Sequence, residues 1–287
     1  MKRTAFIVAT LCTIAVCFSA CKEKKFKGYE QTETGLYYKF KERNPEGKQA
    51  QKGDFLYMTV SYYSSNDSLP KFESREIMDV MSESLYKGDL YEAYSLLKEG
   101  EEGEFVLQAD SFFYYFMRQI PPNVTSEDVL YFTIRMDKVK TMADFEEEEE
   151  MAIKEYVTEN NVTAEPTESG LYYIETVKGK GKKAEMGDSV RVHYTGKFLD
   201  GTVFDASVGN GKNEPLSFVL GVNPMIEGFV EGVSLMNKGG KATLILPFNI
   251  AYGMSHPMSA IPPFTPLVFD VELVDVIIIK KAPAESK

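Results

Sequence analysis

The chain has 287 residues, 44% of them apolar, which gives room for two domains of ordinary size and excludes disorder throughout. A formal net charge of -11, from 43 acidic against 32 basic residues, makes nucleic acid a poor partner. The three cysteines, Cys12, Cys17 and Cys21, all lie at the N-terminus and leave no disulfide framework for a folded domain.

Lys2 and Arg3 precede an uncharged, largely apolar stretch from Ala5 to Ala20. This stretch is shorter than the about 20 apolar residues a spanning helix wants, and it ends in Ser19, Ala20 and Cys21, so residues 1–20 read as an export signal. Phe18-Ser19-Ala20-Cys21 resembles a bacterial lipobox, in which cleavage precedes a cysteine whose thiol is acylated. Cys21 is therefore the candidate lipidation site and the link to a membrane, with an ordinary soluble signal peptide as the alternative. Residues 21–30 form a tether whose Lys22, Lys24, Lys25 and Lys27 lie against anionic head groups or stand solvated. Lys22 after the cysteine resembles lipoproteins sorted to the outer membrane of a bacterial envelope, facing the periplasm.

TETGLYYKF at 32–40 and TESGLYYIE at 167–175 are near copies, the mark of an internal duplication. Each is followed by a Gly-Asp pair (Gly53-Asp54, Gly187-Asp188), a β-patterned run to Tyr62 or Tyr194, and a Phe-acid pair, Phe72-Glu73 or Phe204-Asp205. Ile120-Pro121-Pro122 and Ile261-Pro262-Pro263 continue the parallel before a final strand. Duplicate domains at 31–140 and 167–280 follow, with a disordered tail at 281–287. Residues 141–166 between them read as an acidic helical linker: Thr141 or Asp144 caps it, Glu146 to Glu150 fill its first turns, and Asn160-Asn161 end it. Met142, Phe145, Ala152, Ile153 and Tyr156 give it a partial apolar stripe, and the acid run reads as a solvated face rather than a calcium site.

In the second copy, Val190, Val192, Tyr194, Gly196 and Phe198 alternate with polar residues, so the spacing predicts a half-buried strand with Tyr194 inward. Asp200-Gly201 predicts a hairpin that returns Phe204 and Asp205 along the same sheet. Asn223-Pro224 is read as opening a short helix with Ile226, Phe229, Val230, Val233 and Met236 on one face, and 241–247 and 267–276 as two further strands. Each domain is expected to be α+β, an antiparallel sheet of about five strands packed on one short helix.

Covalent and metal chemistry fail on inventory, and no cofactor or metal is expected. The two histidines, His193 and His256, have no second ligand at metal spacing; no serine stands in a nucleophile elbow and no phosphate-cradling loop precedes a helix. What remains is an apolar cluster around one acid, Asp205, whose natural partner is the Tyr194 hydroxyl on the adjoining strand.

VHYTG at 192–196, DGTVFDAS at 200–207, MIEGFVEGV at 225–233, AYG at 251–253 and IPPFTPLVFDVEL at 261–273 resemble, in order and spacing, the FKBP-type peptidyl-prolyl isomerases. The resemblance covers about 167–276 and, with lipobox and duplication, looks like an exported lipoprotein with two tandem domains. It implies isomerisation of X–Pro bonds in exported or unfolded proline-containing segments, with macrolide-type ligands able to enter the pocket. It also implies roles: Phe229 floors the pocket, and Tyr194, Phe204, Phe218, Met225, Ile226, Ile261 and Phe269 line it. The Ile226 N–H and Tyr252 hydroxyl hold substrate carbonyls, and Asp205 faces the amide being twisted. Phe229 departs from the family, which commonly has Trp there.

The first copy keeps Tyr62, Phe72, Ile120 and Phe132 but has Glu73 for the acid, KGDLYEAY at 87–94 in place of the helix start, and no AYG. It is expected to be degenerate and to serve client binding, spacing or a homodimer, so a fragment from about Glu159 should carry the activity. A tethered non-catalytic chaperone or an envelope-machine accessory is the competing reading.

Overall fold

The computed structural model describes residues 26–67, 69, 71–209, 213–254 and 261–279. The segment 1–20 read as an export signal, Cys21, Lys22, Lys24, Lys25, His256 and residues 281–287 lie outside the described residues. The chain divides between Val139 and Lys140 into two compact units.

The first unit carries β1 (Glu30–Gln31), β2 (Tyr37–Glu42), β3 (Phe55–Ser64), β4 (Phe72–Val80), α1 (Leu90–Ser95), β5 (Glu102–Gln108), α2 (Ala109–Phe112), a π turn (Phe113–Met117) and β6 (Val129–Lys140). Its six strands run in the order β1-β2-β5-β6-β3-β4.

The second carries α3 (Met142–Glu159), β7 (Tyr172–Val177), β8 (Ser189–Phe198), β9 (Val203–Ala206), β10 (Leu216–Val219), α4 (Glu227–Leu235), β11 (Lys241–Leu246), a 3-10 turn (Phe248–Ile250) and β12 (Leu267–Ile277). Its strand order is β10-β8-β12-β11-β7, with β9 also paired to β8, every pairing antiparallel. Both units are thus α+β with the same strand path. The single long β4 of the first answers to β9 and β10 in the second, and six strands stand where about five were expected because β1, β9 and β10 are short.

The duplicated motif acts as a clasp on the short helix. Thr32 Oγ1 donates to Glu92 Oε1 of α1 at 2.8 Å, and Thr34 donates to the same oxygen. In the second unit Ser169 Oγ donates to Glu231 Oε2 of α4 at 2.6 Å. Two small residues let α4 settle on the sheet: Gly228 and Gly232 are buried, and a Cβ at Gly232 would stand 2.4 Å from Leu244 Cδ1. Phe229 and Val233 then enter a core with Leu244, Leu246, Leu267 and Leu273.

Two elements differ from the sequence reading. The helix opens at Glu227 rather than at Pro224, because the Asn223 side chain accepts the Val219 N–H at 2.6 Å and closes the turn after β10 instead of capping a helix. The acidic helix is not solvated all round. Thr141 and Asp144 form a capping box and Asn160 ends the helix as expected, but Phe145 and Ile153 are buried on the second unit. By the period-2 alternation of strands, Ile245 and Val268 face away from the core that holds Leu244 and Phe269. Ile153 clusters with both, and both are fully buried.

Candidate active site

Three features build a cleft on the second unit. Strand β8 brings Tyr194 to the inner face, and the turn at Gly201, whose φ of +86° suits glycine, returns β9 beside it with Gly196 opposite Asp205. Gly196 has to lack a side chain: a Cβ there would stand 2.7 Å from the Phe204 ring and 2.9 Å from Phe269. Tyr194 then donates its hydroxyl to Asp205 Oδ2 at 2.6 Å. Burial first, and the bond to Asp205 second, push the Tyr194 phenol well above the ordinary tyrosine range, so it stays protonated and donates.

Helix α4 supplies the floor. Phe229 is 2% exposed, its ring 5.3 Å from Phe269, 5.9 Å from Tyr194 and 6.1 Å from Phe218, edge-on or tilted to all three. Ile226 stands at the helix N-cap in extended conformation; its carbonyl takes the first helical N–H groups, and its own N–H has no partner among the described residues. The segment after β11 adds Tyr252, whose phenol is also raised, by burial and then by the Asp205 charge.

The result is a cleft of about 560 Å³ lined by Tyr194, Asp205, Met225, Ile226, Phe229, Tyr252 and Phe269 from the residues expected, together with Leu216, Pro224, Glu227, Asn249 and Ala251. Phe204, Phe218 and Ile261, expected to line it, stand behind the walls instead. Phe218 and Ile261 are 6% and 7% exposed in the core, and Phe204 packs against Phe198 and edge-on to Phe269. Leu216 and Asn249 carried no motif, so the sequence held no signal for them. His193 is half-buried, with Nδ1 3.1 Å from Ser207 Oγ. Among the described residues that line it, the cleft has hydrogen-bonding groups and aromatic and aliphatic side chains but no serine, threonine or cysteine.

Among its described residues the first unit shows no equivalent of this aromatic-lined cleft. Tyr62 and Phe72 stack at 5.5 Å and 6°, while Phe112, 2% exposed, sits 5.7 Å from Tyr62 and 5.2 Å from Phe132, so the equivalent aromatics pack on one another. Leu90 stands where the second copy has Phe229, and no hydrogen bond joins Tyr62 to Glu73 among the described residues. Ile120 is 44% exposed rather than buried like Ile261, while Phe112 and Phe113 are buried in the first unit's core with Phe116 packed against it.

A model of the FKBP-type peptidyl-prolyl cis-trans isomerase family matches residues 180–274, the stretch that forms the cleft. Peptidyl-prolyl cis-trans isomerase FPR2 of Saccharomyces cerevisiae is 50% identical over 95 residues, 33% of this chain and 69% of that protein. The FKBP-type 22 kDa isomerase of Escherichia coli is 47% identical over 111 residues, 39% of this chain and 52% of that one. FkpA of the same organism is 40% identical over 148 residues, 52% of each chain. With its cleft, its strand order and half-identity to most of a whole relative, the chain belongs to the FKBP-type peptidyl-prolyl cis-trans isomerase family. It spans about half the length of the bacterial relatives it matches.

Proposed function

We propose that the second unit catalyses cis–trans isomerisation of X–Pro bonds in exported, proline-containing segments. The observation that carries this is the Tyr194–Asp205 pair at the edge of a cleft floored by Phe229, beside an Ile226 N–H that has no partner among the described residues. Rotation about an amide makes and breaks no covalent bond but meets a barrier of about 18–20 kcal/mol from lost resonance. The twisted amide has a smaller dipole than the planar one and needs less solvation, so a water-poor apolar site favours the transition state over the ground state.

In this reading proline sits on Phe229 between Tyr194 and Phe269. The Ile226 N–H and the Tyr252 hydroxyl receive substrate carbonyls, and Asp205, fixed by Tyr194, faces the rotating amide. Phe204, Phe218 and Ile261 hold the walls. Macrolide-type ligands would compete for the same cleft. The first unit, with its cavity packed and Tyr114, Met117 and Ile120 each more than 40% exposed, serves to bind unfolded clients or to pair two copies of the chain. Acylation of Cys21 holds the protein in the bacterial envelope, at the outer membrane facing the periplasm.

A protease-coupled assay on proline tetrapeptides tests the reading. Turnover abolished or strongly reduced by Asp205→Val supports it. Suppression of aggregation by a wild-type chain that does not isomerise peptides would leave only a chaperone.

A further inference from the structure

Contacts run from α3 to the segments that flank the cleft residues Asn249, Ala251 and Tyr252. Phe145, in the first turns of the helix and 6% exposed, stacks on Phe264 with centroids 4.0 Å apart and planes 21° from parallel. Phe264 in turn meets Phe248 edge-on at 5.3 Å. One turn further along α3, Glu149 Oε1 accepts the Phe248 N–H at 2.5 Å.

Phe248 organises the residues that follow it. Its carbonyl accepts the N–H of Ala251 at 3.1 Å and of Gly253 at 2.9 Å, one on each side of Tyr252. The Gly253 carbonyl accepts the Phe264 N–H at 2.9 Å, which ties the Tyr252 segment to the loop after Ile261. Phe264 holds a left-handed φ of +56°, a conformation an aromatic residue keeps only where its surroundings compensate. Packing of its ring between Phe145 and Phe248 is that compensation.

We propose that α3 braces the active site, with Phe145 and Glu149 as positioning residues that hold Tyr252 and the Ile261 loop in place for the reaction. The proposal rests on the isomerase reading above. Neither residue touches the cleft, whose lining includes Asn249, Ala251 and Tyr252 from the braced segment. Ile153, two turns along the same helix, seals Ile245 and Val268 on the outer face of the sheet, in a cluster that, among the described residues, does not include Phe248 or Phe264. The helix thus has a positioning end and a merely packing end.

The test compares Phe145→Ala with Ile153→Ala in the full chain, both positions being 6% exposed, at a temperature where circular dichroism shows each variant folded. Phe145→Ala is expected to lower kcat/KM on a proline tetrapeptide about tenfold, and Ile153→Ala less than about twofold, since small displacements of a positioned group carry large rate costs. Amide exchange at Ala251, Gly253 and Phe264 should quicken in Phe145→Ala alone, and Phe145→Tyr should restore both readouts. Phe145→Leu, which keeps most of the volume without the ring stack, takes its place if the alanine variant does not fold. Equal losses in the two alanine variants, or wild-type turnover and exchange in Phe145→Ala, would overturn the brace. A wild-type chain that fails to isomerise peptides overturns the isomerase reading instead, and amide exchange still decides whether α3 holds the Tyr252 segment.

Discussion

The Tyr194 hydroxyl and the Asp205 carboxylate meet at 2.6 Å across the β8–β9 hairpin, with the donor held protonated by its surroundings. A hydrogen bond to a charged acceptor contributes about 1.5–3 kcal/mol, so loss of either group at a transition state converts to about a ten- to hundredfold fall in rate. Asp205→Val and Tyr194→Phe are each expected to lower kcat/KM within that range while leaving far-UV circular dichroism unchanged. Tyr252→Phe should behave alike. Wild-type turnover in all three would remove the site assignment.

Phe229 is both floor and core. Its replacement by Ala leaves a void under Tyr194, Phe218 and Phe269, and large-to-small changes at such positions cost about 3–5 kcal/mol. Urea unfolding of the full chain should show the transition of the second unit moving to lower denaturant, with loss of peptide turnover. A loss of turnover without any shift in unfolding would mean that the ring is not part of the core.

Burial raises Glu149 to about 7 from 4.5; the Phe248 N–H pulls it down and Glu146 pushes it up. A carboxyl with a folded value above its unfolded one binds more protons when folded, so stability falls as pH rises through the window between the two values. Glu149→Gln keeps an acceptor for Phe248 without the charge. The melting temperature of the variant should therefore be flatter from about pH 5 to about pH 8, with a gain over wild type of about 1–2 kcal/mol at the upper end, discounted for solvent screening at a half-buried group. Parallel melting profiles of the two proteins would show that Glu149 is not strained by its charge.

The position of α3 changes where the second unit can be cut. A chain starting at Lys140 keeps Ile153 over Ile245 and Val268, and should turn over short proline peptides as the full chain does. Starting at Glu159, as the sequence suggested, uncovers two side chains whose burial contributes about 1.5–3 kcal/mol each. That fragment should melt lower and turn over peptides poorly. Removal of the first unit alone is expected to slow catalysed refolding of a proline-limited protein and to spare peptide turnover. Full refolding activity from the Lys140 fragment would take away the client-binding role.

Cys21→Ser tests the anchor. If the proposed acylation holds the protein, the variant is expected to leave the detergent phase and to be processed slowly or released, because Cys21 is the last of the three cysteines in the sequence. Unchanged partition into detergent would place the anchor elsewhere.

Much of the cleft was legible because it depends on local pattern. Alternation along β8 turned Tyr194 inward and Asp200-Gly201 fixed the hairpin that brings Asp205 to its hydroxyl; the carboxylate itself is exposed, so the bond comes from the hairpin's register and not from the cost of a buried charge. The rest depends on pairings between distant segments. Nothing local to Phe145 foretells a partner at Phe264, and the stripe on α3 is half-hearted, with Met142 37% exposed and Ile153 buried. Asn223 carried a helix-cap signal that a turn used instead, which moved the start of α4. The filled cavity of the first unit was only half visible: missing motifs marked it as degenerate, but that Phe112 closes it depends on how the segment after β5 winds.

The clasp that Thr32 and Thr34 make on Glu92, and Ser169 on Glu231, survives in both halves of a chain whose clefts have parted company. The two halves therefore form a natural experiment in which the architecture was held constant and the chemistry was released. What both still share is what a β-sheet of this path needs to seat its helix; what only one retains is what an amide needs in order to turn. An engineer wishing to install a new pocket has the first half as a vacant chassis, in which opening the space at Phe112 would leave the clasp, and with it the seating of α1, untouched.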